Sequence, residues 1–166
     1  SLILCNIWSS WVYIALIPII PFALYIMSFL IEMAIPPYHN AKGLFVGKDS
    51  SIPNVNGMRT DVVEALKEMG IPVLRWPGGC FAESYDWRDG IGPKEKRPVR
   101  VNWWTKFDGR YEPNLVGTDE FLDFTALCGA EPYIAANITS TTPLNIRDWV
   151  DYCNSPAGTT TMAKLR

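Results

Sequence analysis

The sequence predicts an α/β fold built on a parallel sheet. Three observations carry that expectation. Amphipathic stretches end in glycine at Gly70 and Gly129; each is followed by a short run with an early proline; and each run opens into a glycine-rich or polar loop. Helix, glycine, short turn, strand, loop, helix is the rhythm of βαβ units.

The elements follow in order. Residues 1–31 carry no Asp, Glu, Lys, Arg or His, and Glu32 is the first charge. The apolar stretch over residues 8–35 is long enough to cross a bilayer, which needs about 20 apolar residues. Trp8 and Trp11 would then sit at one interface, and a membrane span tolerates Pro18 and Pro21 better than an isolated soluble helix does. The chain begins with Ser1 rather than Met, so misassigned in-frame sequence stands beside a membrane span as a reading of residues 1–40, with a buried core helix as a third. A signal peptide fits less well, because no basic stretch precedes the apolar run.

From residue 41 the pattern changes to that of an enzyme domain. "GLFVG" (43–47) is a short apolar run, and "KDSSIPNVNG" reads as loop. Residues 57–69 place Met58, Val62, Ala65, Leu66 and Met69 on one helical face, with Asn56 or Thr60 as cap and Gly70 as stop. Residues 71–74 read as a buried strand entering "RWPGG". A second helix covers 118–129, with Thr118 as cap and Gly129 as stop; a second strand covers 130–138 and runs into "TSTT". A third helix starts from Thr142 with Pro143 at its first position, and Ile146, Trp149, Val150 and Cys153 follow at i, i+3, i+4 and i+7.

Composition narrows the function. With 15 Lys and Arg against 17 Asp and Glu, the net charge of -2 offers no basic field, so a nucleic-acid partner is disfavoured. Cys5, Cys80, Cys128 and Cys153 form no CxxC pair, and His39 alone cannot complete a zinc set. No metal or cofactor is expected, and the cysteine spacing leaves the compartment open.

The densest chemistry lies in "IPVLRWPGGCFAESYDWRDGIGP", residues 71–93. In parallel α/β folds ligands gather at the carboxyl ends of strands, where "RWPGGC" and "NITSTT" both fall. Arg75 follows an apolar run, so its planar fork is expected to be partly buried and paired, either in a structural ion pair or holding a functional carboxylate. Pro77-Gly78-Gly79 allows a sharp turn and close backbone approach to a ligand. Cys80 is a ligand contact, a nucleophile or a small core residue; a Cys-His nucleophile is poorly supported, since no histidine follows it. Trp76, Trp87, Trp103 and Trp104 read as core before they read as sugar platforms. Glu83, Asp86 and Asp89 read as solvated loop charges.

Taken together, "GLFVGKDSSIPNVNGMRTDVVEALKEMGIPVLRWPGGCFAESYDWRDGIGPKEKRPVRVNWW", "VGTDEFLDFTALCGAEPYIAAN" and "WVDYCNSPAGTTTMAKLR" closely resemble the glycoside hydrolase family 51 α-L-arabinofuranosidases. The similarity runs from about residue 43 to Arg166. The resemblance implies a (β/α)8 barrel, of which this chain holds a part with the second and third strands, "VLRW" and "YIAAN". It implies hydrolysis, with retention, of terminal α-L-arabinofuranosyl groups of arabinose-containing oligo- or polysaccharides, in a full-length enzyme that is a homo-oligomer. Retention uses two glutamates, one protonating the leaving oxygen and one attacking the sugar. By the same resemblance Cys80 contacts the arabinofuranose, Arg75 helps hold the nucleophilic carboxylate, Trp103 or Trp104 lines the cleft, and Asn137, at the end of the third strand, is a further substrate-binding candidate. Nothing before Gly43 matches the family's Gly-His-Phe-x-Glu segment, and neither catalytic glutamate has a counterpart here. The expectation is a fragment inactive by itself. The rival is a membrane-tethered, non-catalytic carbohydrate-binding or interaction protein.

Overall fold

The computed structural model describes residues 43–102 and 111–166. The apolar segment 1–40, with its membrane-span reading over 8–35, lies outside the described residues, as do Trp103 and Trp104. Among the described residues no helix is long and apolar enough to cross a membrane.

The domain opens with a hairpin that pairs β1 (Asn54–Val55) with β2 (Met58–Arg59). Asn56 and Gly57 both take positive φ, 54° and 90°, as a two-residue hairpin turn demands. Residues 44–46 lie alongside: Arg59 N–H donates to the Leu44 carbonyl, and Val46 N–H to that of Gly57. Leu44 and Met58 are buried together at this end of the core.

This hairpin corrects the expected first helix. α1 spans Thr60–Glu68 and begins three residues later than the periodicity suggests, because Asn56-Gly57 turns the chain and draws Met58 into a strand. The inward face shifts accordingly. Val63 is the buried residue of α1, with Val62 and Leu66 half-buried, while Ala65 and Met69 face outward.

The central pair is parallel, as the βαβ rhythm predicts. β3 (Val73–Trp76) pairs with β6 (Glu131–Ile134), placing Leu74 opposite Pro132, Arg75 opposite Tyr133 and Trp76 opposite Ile134. α2 (Thr118–Cys128) connects them, and α3 (Pro143–Asn154) follows β6. Thr142 caps α3 as expected, its hydroxyl accepting from Asn145 N–H. The α2 cap differs from expectation. Gly117 is the capping residue, its N–H donating to the Glu120 carboxylate at 2.9 Å, and Thr118 turns inward.

Between β3 and α2 the chain makes a long excursion over residues 77–117. Three 3-10 turns, at Gly79–Glu83, Trp87–Gly90 and Lys94–Lys96, precede a short ladder of β4 (Arg100–Val101) with β5 (Tyr111–Glu112). The excursion is anchored where its backbone meets itself. A Cβ on Gly117 would lie 1.7 Å from the Gly90 carbonyl oxygen, so only glycine allows this approach.

The core is unusually aromatic. Trp76 stacks on Phe121 of α2 at 5.5 Å and meets Tyr85 edge-on at 5.0 Å, while Trp87 stacks on Trp149 of α3. Trp87 is 1% exposed and donates its indole N–H to the Asn145 carbonyl. Trp76 and Trp87 are therefore core residues, holding the segment after β3 against both helices. Such rings bury large areas and lock orientation through their edge and face preferences.

Candidate functional site

β3 separates two environments by simple alternation. Leu74 and Trp76 turn toward the helices and are buried, while Val73 and Arg75 turn to the opposite face and are half-buried. Tyr133, the register partner of Arg75, is 56% exposed. The helix-free face of the strand pair thus presents an arginine beside a tyrosine. Among the described residues the Arg75 guanidinium has no ion pair or hydrogen bond. The expectation that it is partly buried holds; a carboxylate partner does not occur among these residues.

Past Trp76 the chain passes through a cis Trp76–Pro77 bond and then Gly78 and Gly79. Gly79 takes φ 52°, a left-handed conformation that costs a side-chain-bearing residue about 1 kcal/mol or more. That reversal starts the 3-10 turn and sets Cys80 on its exposed side. Cys80 is a free thiol at the carboxyl end of β3, exposed among the described residues. Phe81 behind it packs on Tyr85 at 5.3 Å.

Two acidic residues of the excursion hold it in shape. Asp86 accepts from Arg88 N–H and caps the second turn, and Asp89 takes two hydrogen bonds from Arg100, at 2.7 and 2.9 Å. Glu83 is exposed.

Asn137 sits at the end of the segment after β6 and is 4% exposed. Its amide nitrogen donates to the Tyr85 carbonyl at 3.1 Å and to Ser140 Oγ at 2.8 Å. Its amide oxygen accepts from Thr139 N–H and Ser140 N–H. The loop after β6 is therefore tied to the turn after β3, and both lie at the carboxyl ends of paired strands.

Behind the site lies an electrostatic anchor that sequence reasoning missed. Arg97, its side chain 3% exposed, donates both fork nitrogens to Glu120 at 3.0 Å and also bonds the Gly92 and Asn114 carbonyls. Burial alone would raise the Glu120 carboxyl, but the Arg97 fork, the Gly117 N–H and Lys94 outweigh it and hold it below its usual range. Glu112 behaves oppositely: burial raises it to about 7, against a partial opposing effect of the Asn114 N–H. Tyr85 lies nearby with its hydroxyl buried and unbonded among the described residues, and burial and then Glu112 push its ionisation well up. The available sequence signal was the Glu three residues after Gly117, a capping pattern at the start of α2.

A concavity of about 350 Å³ lies on the helix side of the strand pair, between Pro132 and Ile134 of β6 and Ile146, Trp149, Val150 and Cys153 of α3. The predicted helical stripe of α3 thus lines a groove. It is apolar, and burial pushes the Cys153 thiol up to about 11. It faces away from Arg75.

Comparison with known proteins gives this geometry its context. The family model described as the alpha-L-arabinofuranosidase 1 domain matches residues 65–166. A Bacteroides ovatus protein named an intracellular exo-alpha-L-arabinofuranosidase is 52% identical over 124 residues, covering 75% of this chain and 24% of that protein. A probable alpha-L-arabinofuranosidase C of Aspergillus niger is 46% identical over 112 residues, covering 66% and 21%. Among solved structures, the GH51 arabinofuranosidase of Xanthomonas axonopodis pv. citri superposes with a TM-score of 0.70 at 47% identity, covering 78% of this chain and 25% of that one. The arabinose complex of an alpha-L-arabinofuranosidase from Thermotoga maritima gives 0.67 at 43% identity, covering 74% and 24%. The chain spans about a quarter of the length of these relatives.

Proposed function

Because the chain belongs to the α-L-arabinofuranosidases of glycoside hydrolase family 51, we propose that residues 43–166 form the sugar-holding part of a retaining enzyme acting on terminal α-L-arabinofuranosyl groups. The observation that carries the reading is Arg75. It is half-buried on the helix-free face of β3, two residues before the sharp turn to Cys80, with no partner among the described residues. A half-buried guanidinium with an open fork suits a carboxylate brought to it by the rest of the site.

In this reading β3 and β6 are two adjacent strands of a (β/α)8 barrel, and their helix-free face looks into its interior. Retaining hydrolysis needs two carboxyl groups about 5–5.5 Å apart across the glycosidic bond. Arg75 orients the attacking one and keeps it ionised, since a nearby cation favours the charged form. Cys80 packs its thiol against the furanose, and Trp103 or Trp104 supplies an aromatic wall. No glutamate among the described residues takes either catalytic role, so residues 43–166 by themselves are inactive. The reaction uses no cofactor.

A chimera tests this. Residues 43–166 replace the matching segment of the Bacteroides ovatus relative, and the purified product is assayed on an aryl α-L-arabinofuranoside. Turnover in the chimera, lost strongly in its Arg75→Lys variant, is expected. A folded chimera without turnover, or one indifferent to Arg75, overturns the reading.

A further inference from the structure

We propose that Asn137 is a positioning residue: it clamps the Cys80 turn to the loop after β6 and does not itself bind sugar. The clamp stands on geometry; its bearing on sugar binding rests on the reading of Cys80 above.

The argument is one of capacity. A carboxamide offers two N–H donors and an oxygen with two lone pairs. At Asn137 all four are used within the protein, by the Tyr85 carbonyl, Ser140 Oγ, and the N–H groups of Thr139 and Ser140. With the residue 4% exposed, nothing is left to offer a ligand. The Ser140 hydroxyl, having accepted from Asn137, donates its own O–H to the Glu83 carbonyl at 2.9 Å. Two carbonyls at the end of the Cys80 turn therefore receive donors from a loop more than fifty residues away in sequence. Thr141 closes the other side by donating to the Asn137 carbonyl at 2.8 Å.

The consequence is mechanical. Trp76 and Ile134 are paired residues of β3 and β6, and each leads into one of the two loops. Strand pairing sets the spacing of the loop bases, and Asn137 with Ser140 sets the spacing further out. Cys80 is exposed at the start of that turn, so its position depends on the clamp.

Hydrogen exchange on the full 166-residue chain, read by mass spectrometry without sugar, tests this. In Asn137→Ala, amides over 79–86 and 138–142 should exchange about tenfold faster, because the hydrogen bonds that join the two loops are lost, while those of α2 keep their rates. Asn137→Asp retains the acceptors and loses the donors, so 79–86 should loosen while 138–142 stays protected. Ser140→Ala should give a smaller increase over 79–86. If Asn137→Ala fails to fold, the Asp and Ser140 variants decide. Unchanged rates over 79–86, or an equal rise in α2, overturns the clamp. In the chimera, Asn137→Asp should raise KM and add nothing to the KM effect of Cys80→Ala. Full additivity there cuts the link to Cys80 and leaves the exchange result standing.

Discussion

Trp149 of α3 donates its indole N–H to the hydroxyl of Thr118, the first residue of α2, at 3.0 Å in the buried interior. Thr118 is 0% exposed and Trp149 4%. This bond joins the two helices that flank β6. Thr118→Val keeps the shape and strands the indole N–H, which should cost about 1–3 kcal/mol. Thr118→Ser, keeping the hydroxyl, should cost less. Urea denaturation of the two variants measures the difference; a Thr118→Val loss no larger than that of Thr118→Ser would show that the hydroxyl bond contributes no more than the methyl contact.

Arg97 and Glu120 should be the more sensitive pair. Removing one partner of a buried pair leaves an uncompensated charge and costs roughly 3–5 kcal/mol, so Arg97→Met and Glu120→Gln should each destabilise strongly. The double variant should lose much less than the sum. Because the folded Glu120 is held low, its contribution is present above its unfolded value and disappears as pH falls through the folded value. A double-mutant cycle at pH 7 and again at acidic pH checks both parts. Additive losses at pH 7 would contradict the coupling.

Glu112 has the opposite sign. Its carboxyl is raised from 4.5 to about 7 in the folded chain, so between those values the folded state holds a proton the unfolded state has released. Stability should therefore fall as pH rises through this window, by about 3 kcal/mol in total, and level off above it. Glu112→Gln should remove that slope. Thermal melts of both proteins from pH 4 to pH 8 provide the check; parallel curves would show that Glu112 does not titrate there.

Arg75 and Cys80 should separate kinetically in the chimera. Arg75→Lys loses the fork and should lower kcat, by about 2–4 kcal/mol in transition-state stabilisation, by analogy with a lost active-site donor. Cys80→Ala loses packing against the sugar and should chiefly raise KM. Steady-state kinetics on an aryl α-L-arabinofuranoside distinguish them. Normal kinetics with a lowered Tm in Arg75→Lys would make the arginine structural.

Much of this arrangement is legible in the linear chain because it is local. Gly70 and Gly129, Pro143 behind Thr142, and the apolar periods between them announce three helices and two strands, and all five occur. The misjudged start of α1 also had a local signal. Asn56-Gly57 is a strong hairpin dipeptide, but helical periodicity over Met58 masked it.

The helix stops, the strand–loop–helix rhythm, the family resemblance and the crowding of Arg75 and Cys80 at one strand end are all readable in the linear chain. The environments those residues occupy emerge with folding. Which face of β3 meets α2 depends on strand alternation relative to a helix more than forty residues away, and that choice buries Trp76 and leaves Arg75 open. Thr118 reads as a cap because its neighbours in sequence allow it, yet Trp149 claims its hydroxyl. Asn137 lies near a site by sequence, but its four hydrogen bonds show its amide fully committed to the protein. The physical reason is common to all three. Backbone conformation responds mainly to adjacent residues, whereas burial and hydrogen-bond saturation depend on partners that only folding brings near.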